Sequence, residues 1–160
     1  NKIEDSFATI FRQTAMNRFE DAMHTARRTE GELTPDRLGE LWMNTQQAMF
    51  GDSVRLGENY KAWWSYIPHF LQTPGYVYAY AFGELLVLAL FNLYKARGAD
   101  FIPQYVAVLE AGGSDYPDAI LSKVGVDLND PNFWSHGIDA LRALIDEEER
   151  LAREVYGDKF

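Results

Sequence analysis

Residues 76–94 read YVYAYAFGELLVLALFNLY and carry a single charge, Glu84. Apolar side chains run all the way round a helical projection of this stretch, so it is either a helix buried in a protein interior or a membrane span. A span needs about 20 apolar residues, and an acid near its centre costs roughly 2.5–3.5 kcal/mol. Outward in both directions the chain returns to amphipathic helix of the soluble kind. The stretch is therefore read as a buried helix, closed by Lys95, Arg97 and Gly98, and no membrane partner is expected.

Upstream, Ile3, Phe7, Ile10, Phe11, Ala15, Phe19, Ala22, Met23 and Ala26 keep a 3.6-residue period, which predicts one helix running to about Arg28 and ending at Gly31. Thr34-Pro35-Asp36 offers a hydroxyl cap, a proline suited to the first helical position and an acid in the first turn, opening a second helix to about Phe50. Between residues 54 and 75 the sequence is aromatic and broken by Pro68 and Pro74, so short turns and loop are expected. Downstream, helices are expected over residues 100–111 and 118–123, and a long one opening at Asp130-Pro131 and running to about Tyr156. Alternation of period two is not sustained anywhere, so the class is all-α. The acidic run Asp146-Glu147-Glu148-Glu149 reads as a solvated helix face.

The chain has 160 residues, a length that suits one domain spanning 1–160, and its 47% hydrophobic and 14% aromatic content excludes disorder. A net charge of −9 repels phosphate backbones and anionic bilayers, so nucleic acid is not an expected partner. With no cysteine there is no disulfide, thiolate metal site or cysteine nucleophile, and a cytoplasmic location is the expectation. The opening residues Asn1-Lys2-Ile3-Glu4-Asp5-Ser6 show neither an initiator methionine nor the pattern of a signal peptide. The helical period starts at once, which suggests a fragment of something longer.

Three histidines are present, and H-E-x-x-H, P-loop and GxGxxG motifs are all missing. Glu20 and His24 are four apart on one helix face, but two ligands are not a metal site, and such pairs are usually solvated. His136 reads as a surface or packed histidine. His69 differs, because it lies in the loop Pro68-His69-Phe70-Leu71-Gln72-Thr73-Pro74-Gly75-Tyr76, just before the most apolar helix. Tyr76 and Tyr80 are four apart, with Gly83 a turn further on, so two phenols and an imidazole could converge on one cleft. Phenol and imidazole N–H groups can donate to a developing oxyanion; core aromatics with a polar tip are the bland alternative.

These phrases carry a resemblance. Phe11-Arg12-Gln13, Arg18-Phe19-Glu20 with His24, Met49-Phe50-Gly51-Asp52, Trp63-Trp64-x-x-Ile67-Pro68-His69-Phe70, Pro74-Gly75-Tyr76-Val77-Tyr78-Ala79-Tyr80-Ala81 and Gly112-Gly113-Ser114 stand in the order found in oligoendopeptidase F. The sequence resembles the C-terminal portion of that enzyme's catalytic domain, within the thimet-oligopeptidase group of zinc metallopeptidases. The resemblance implies peptide hydrolysis by metal-activated water, with zinc held by an H-E-x-x-H helix and a downstream glutamate. Those ligands would all precede Asn1, so no metal ligands are expected in this chain. It further implies that His69 and Tyr76 stabilise the tetrahedral intermediate and bind peptide, that Gly75 is the flexible glycine before the tyrosine, and that Tyr80 or Tyr78 contributes to substrate binding. The thimet branch has a more glycine-rich loop and a further tyrosine where Gly83 stands here, which leaves Tyr78 against Tyr80 open.

The resulting expectation is an all-α, substrate-binding C-terminal part of a zinc-dependent oligoendopeptidase. Its partners would be short peptides and the upstream part of the same enzyme. Alone, the chain is expected to be inactive, to bind no zinc and to self-associate through uncovered apolar faces. The alternative is a non-enzymatic helical interaction module docking through the helix at residues 76–94.

Overall fold

A computed structural model describes residues 2–157, which form helices and connecting turns with no β-strand among the described residues. The all-α expectation holds. The chain, which its length suggests as one domain, divides into two compact units, residues 2–82 and the residues from Gly83 onward.

In the first unit α1 (Lys2–Phe7) passes through a π-helical turn, Ala8–Arg12, into α2 (Gln13–Glu30). The periodicity predicted an unbroken α-helix. Through this turn Phe7 and Phe11, four apart, lie ring against ring at 5.0 Å, and Ile10 is buried. Gly31, at φ +89°, ends α2 in a conformation that side chains resist. The sequence signal at Thr34 is met: its hydroxyl accepts the Arg37 N–H at 3.2 Å, and Pro35 opens α3 (Pro35–Phe50). A 3₁₀ stretch, Glu58–Tyr66, crosses α3 so closely that a Cβ on Gly39 would lie 3.2 Å from the Lys61 carbonyl oxygen. The core of this unit gathers Met16, Phe19, Trp42, Ile67, Phe70 and Val77. Phe19 meets Trp42 edge-on at 5.3 Å, a favoured aromatic geometry. The single-turn α4 (His69–Gln72) follows, and α5 (Tyr78–Arg97) begins here.

In the second unit the rest of α5 is joined by α6 (Ile102–Ala111), α7 (Pro117–Ser122) and α8 (Pro131–Tyr156) around Ala89, Leu90, Phe101, Leu121, Val124, Val126 and Phe133. The Asp130 side chain caps α8 by accepting from the Asn132 N–H at 2.9 Å, and residues 146–149 are exposed, as the acidic run predicts. The expectation of a buried central helix needs correction. Leu88, Ala89 and Leu90 are buried, but Val87 is 59% and Phe91 49% exposed, and with Tyr94, Ile102 and Tyr105 they line an open groove of about 320 Å³. The helical run Tyr78–Ala111 is, by length and composition, long and apolar enough to cross a membrane.

Candidate functional site

The loop after the 3₁₀ stretch is built by alternation. Phe70 and Val77 are 5% and 0% exposed and plug into the core beside Phe19 and Trp42; burial of such a side chain is worth about 1.5–3 kcal/mol. Their neighbours in sequence, His69 and Tyr76, are thereby turned outward. Between them the backbone reverses at Thr73-Pro74-Gly75-Tyr76. The Tyr76 N–H donates to the Thr73 carbonyl at 3.2 Å, and Gly75 takes φ +79°. Proline followed by a residue of positive φ is the chemistry of a type II turn, and only glycine adopts that second position without strain. The Ala79 N–H then bonds the Tyr76 carbonyl at 2.9 Å and leads into α5.

Tyr76 therefore precedes α5 rather than lying on it. Its approach to Tyr80 comes from the turn and not from a shared helix face, which corrects the spacing argument while keeping its outcome. His69 Nε2 and the Tyr80 hydroxyl are 2.9 Å apart and share one hydrogen bond, whose direction follows the imidazole tautomer. The Tyr76 ring lies nearly parallel to His69, at 5° and 6.3 Å, and Tyr80 stands edge-on to both, at 5.7 Å from His69 and 5.5 Å from Tyr76. His69 is half-buried, whereas Tyr76 and Tyr80 are 51% and 36% exposed. Among the described residues the Tyr76 hydroxyl has no hydrogen-bond partner, so its O–H is free to donate outward. Tyr78, 56% exposed, stands apart from the three rings.

Behind the loop stands a residue that sequence reasoning expects in solvent. Glu20 is 3% exposed, and its Oε1 accepts the Gly75 N–H at 2.6 Å. His24 Nε2 lies 3.7 Å from the same oxygen, with the imidazole itself largely exposed. The solvated Glu20–His24 pair is thus half wrong, because the acid is buried under the turn. Its position among Met16, Phe19 and Met23 on the apolar stripe of α2 is the signal that could have found it. His136 lies elsewhere, on α8, with its carbonyl accepting from the Asn92 amide at 2.8 Å. Among the described residues no group of three or more histidines, aspartates or glutamates is arranged to hold a metal ion. Glu20 and His24 offer two donors, one already engaged by Gly75, and so do not fit zinc.

A second feature of this unit is an aromatic groove of about 640 Å³, where Arg12 donates to the Tyr66 hydroxyl at 3.1 Å between Phe11, Phe50 and Trp63.

With the geometry in place, comparison with known proteins gives a consistent result. The sequence profile of Peptidase family M3 matches residues 1–140. Oligopeptidase PepF of Bacillus subtilis (strain 168) is 33% identical over 153 residues, covering 96% of this chain and 23% of that protein. An oligoendopeptidase F homolog of Borreliella burgdorferi is 31% identical over 150 residues, covering 94% and 25%. Among solved structures, oligoendopeptidase-F from Enterococcus faecium superposes with a TM-score of 0.79 at 29% identity, covering 93% of this chain and 29% of that one. The chain spans about a quarter of the length of the curated relatives it matches. A profile that takes in all but the last twenty residues, on a helical fold shared with an oligoendopeptidase, places this chain in peptidase family M3.

Proposed function

We propose that this chain is the substrate-binding and oxyanion-stabilising part of a longer oligoendopeptidase that hydrolyses short peptides. The observation that carries the reading is the cluster of His69, Tyr76 and Tyr80 on a turn anchored from both sides, with the Tyr76 hydroxyl uncommitted. As a peptide carbonyl becomes tetrahedral its oxygen gains charge, and a donor already in place stabilises that charge more than it stabilises the starting amide. Tyr76 is the donor, and His69 and Tyr80 hold each other and limit where its ring can lie. The half-exposed ring faces form the wall against which a peptide backbone lies. By family resemblance a zinc ion, when bound by parts of the longer protein other than residues 2–157, would supply the activated water.

The test is hydrolysis of a short fluorogenic peptide by the longer protein carrying His69→Ala. Removing the imidazole leaves both phenols without their common neighbour, so kcat should fall about tenfold or more with metal content unchanged. Tyr66→Phe, in the separate aromatic groove, should stay within a few-fold. Equal activity of His69→Ala and the parent would overturn the reading.

A further inference from the structure

We propose that Glu20 is a positioning residue: it latches the Pro74-Gly75 turn onto α2 and thereby fixes Tyr76 over His69. The kinetic part of this inference rests on the functional reading above, and the latch itself rests on geometry alone.

Several attachments hold the loop. Phe70 and Val77 plug into the core on either side, and within the turn the Tyr76 N–H closes onto the Thr73 carbonyl. None of them fixes the apex, which is left free to pivot. Gly75, the residue free of side-chain restraint, is where such a pivot would occur. Among the described residues, the one bond from outside the loop that reaches the apex is the Gly75 N–H to Glu20 Oε1 at 2.6 Å, made across 55 positions of sequence. A bond between distant parts of the chain sets position, whereas a bond inside the turn sets only shape.

The acceptor is well suited to this task. Glu20 sits in a helix whose neighbours Met16 and Phe19 are packed in the core, so its side chain cannot swing out without vacating that packing. Its second oxygen, Oε2, is buried with no hydrogen-bond partner among the described residues. Burying a polar group is costly unless it is bonded, so the contact with Gly75 is what this buried acid obtains inside the fold. Tyr76 is the next residue along, one peptide unit from the bonded Gly75 N–H, so holding Gly75 restrains where the Tyr76 Cα can lie.

Two substitutions separate reach from acidity, in the longer protein. Glu20→Asp keeps the acid and withdraws it by one methylene from Gly75. Glu20→Gln keeps the reach and an acceptor oxygen and removes the acid. Hydrogen–deuterium exchange at the Gly75 amide reads the latch directly, and kcat and KM on a short peptide read its consequence. The expected result is that Glu20→Asp speeds Gly75 exchange about tenfold or more and lowers kcat by a similar factor with little change in KM. Glu20→Gln is expected to retain protection and stay within a few-fold in kcat. Unchanged exchange and kcat in Glu20→Asp would overturn the proposal, as would Glu20→Gln losing both. Should Glu20→Asp fail to fold, the Glu20→Gln outcome decides alone. The two readings fail separately. If Tyr76→Phe leaves kcat unchanged while Gly75 exchange still follows Glu20, the functional reading falls and the latch stands. If Tyr76→Phe lowers kcat while Glu20→Asp alters nothing, the latch falls and the functional reading stands.

Discussion

Gly75 shows how much one residue can determine. At φ +79° it closes the turn that brings Tyr76 beside His69, and a side chain there pays a strain of about 1–2 kcal/mol in the left-handed region. Gly75→Ala should therefore lower the stability of the chain by about that amount in denaturant unfolding. Gly57→Ala serves as the comparison: its φ is −84°, its Cβ would meet nothing within 4 Å, and it should be neutral or slightly stabilising. Equal effects of the two would mean that the turn tolerates a side chain. That His69, Tyr76 and Tyr80 meet in one cluster was readable from the sequence, because a proline-glycine loop beside an apolar helix brings polar aromatics together. The choice between Tyr78 and Tyr80 was not readable, since it depends on where α5 starts, and the turn delays that start to Tyr78. Glu20 was misread for a related reason: an acid is exposed by default, and its partner is 55 positions away.

At the scale of elements, caps were the most legible feature. Thr34-Pro35 and Asp130-Pro131 each open the helix they announce, because a side-chain acceptor next to a proline satisfies amide groups locally and needs no tertiary information. The π-helical turn at Ala8–Arg12 was illegible, since one extra residue in a turn leaves an apolar pattern nearly intact. Helix contacts are equally hidden in sequence. Gly137 on α8 faces the backbone of α5 so closely that a Cβ would lie 2.8 Å from the Leu85 carbonyl oxygen. Gly137→Ala should cost about 1–3 kcal/mol of stability, because one helix must move away from the other. Gly113→Ala, with open space around it and no positive φ, should change stability by less than about 0.5 kcal/mol. Comparable losses from both would argue that α5 and α8 do not meet as described.

For the molecule as a whole, composition indicated an acidic, folded chain, hydrophobic periodicity an all-helical one, and the ordered phrases from Phe11 to Ser114 led to a family that the comparisons bear out. The burial of α5 was overestimated, because an all-round apolar helix announces that something covers it without saying whether this chain supplies the cover. Within the second unit only Leu88, Ala89 and Leu90 of its central turns are buried, and the groove along Val87, Phe91 and Tyr94 stays open. The proposed function turns on one hydroxyl, that of Tyr76. The most direct measurement is kcat and KM for a short peptide with Tyr76→Phe, which removes a single oxygen and keeps the ring against His69 and Tyr80. The account predicts a fall of about 10²–10³ in kcat with KM nearly unchanged, since a donor used only by the oxyanion contributes in the transition state and not in substrate binding. A kcat within a few-fold of the parent would contradict it and leave Tyr76 as an aromatic that only packs.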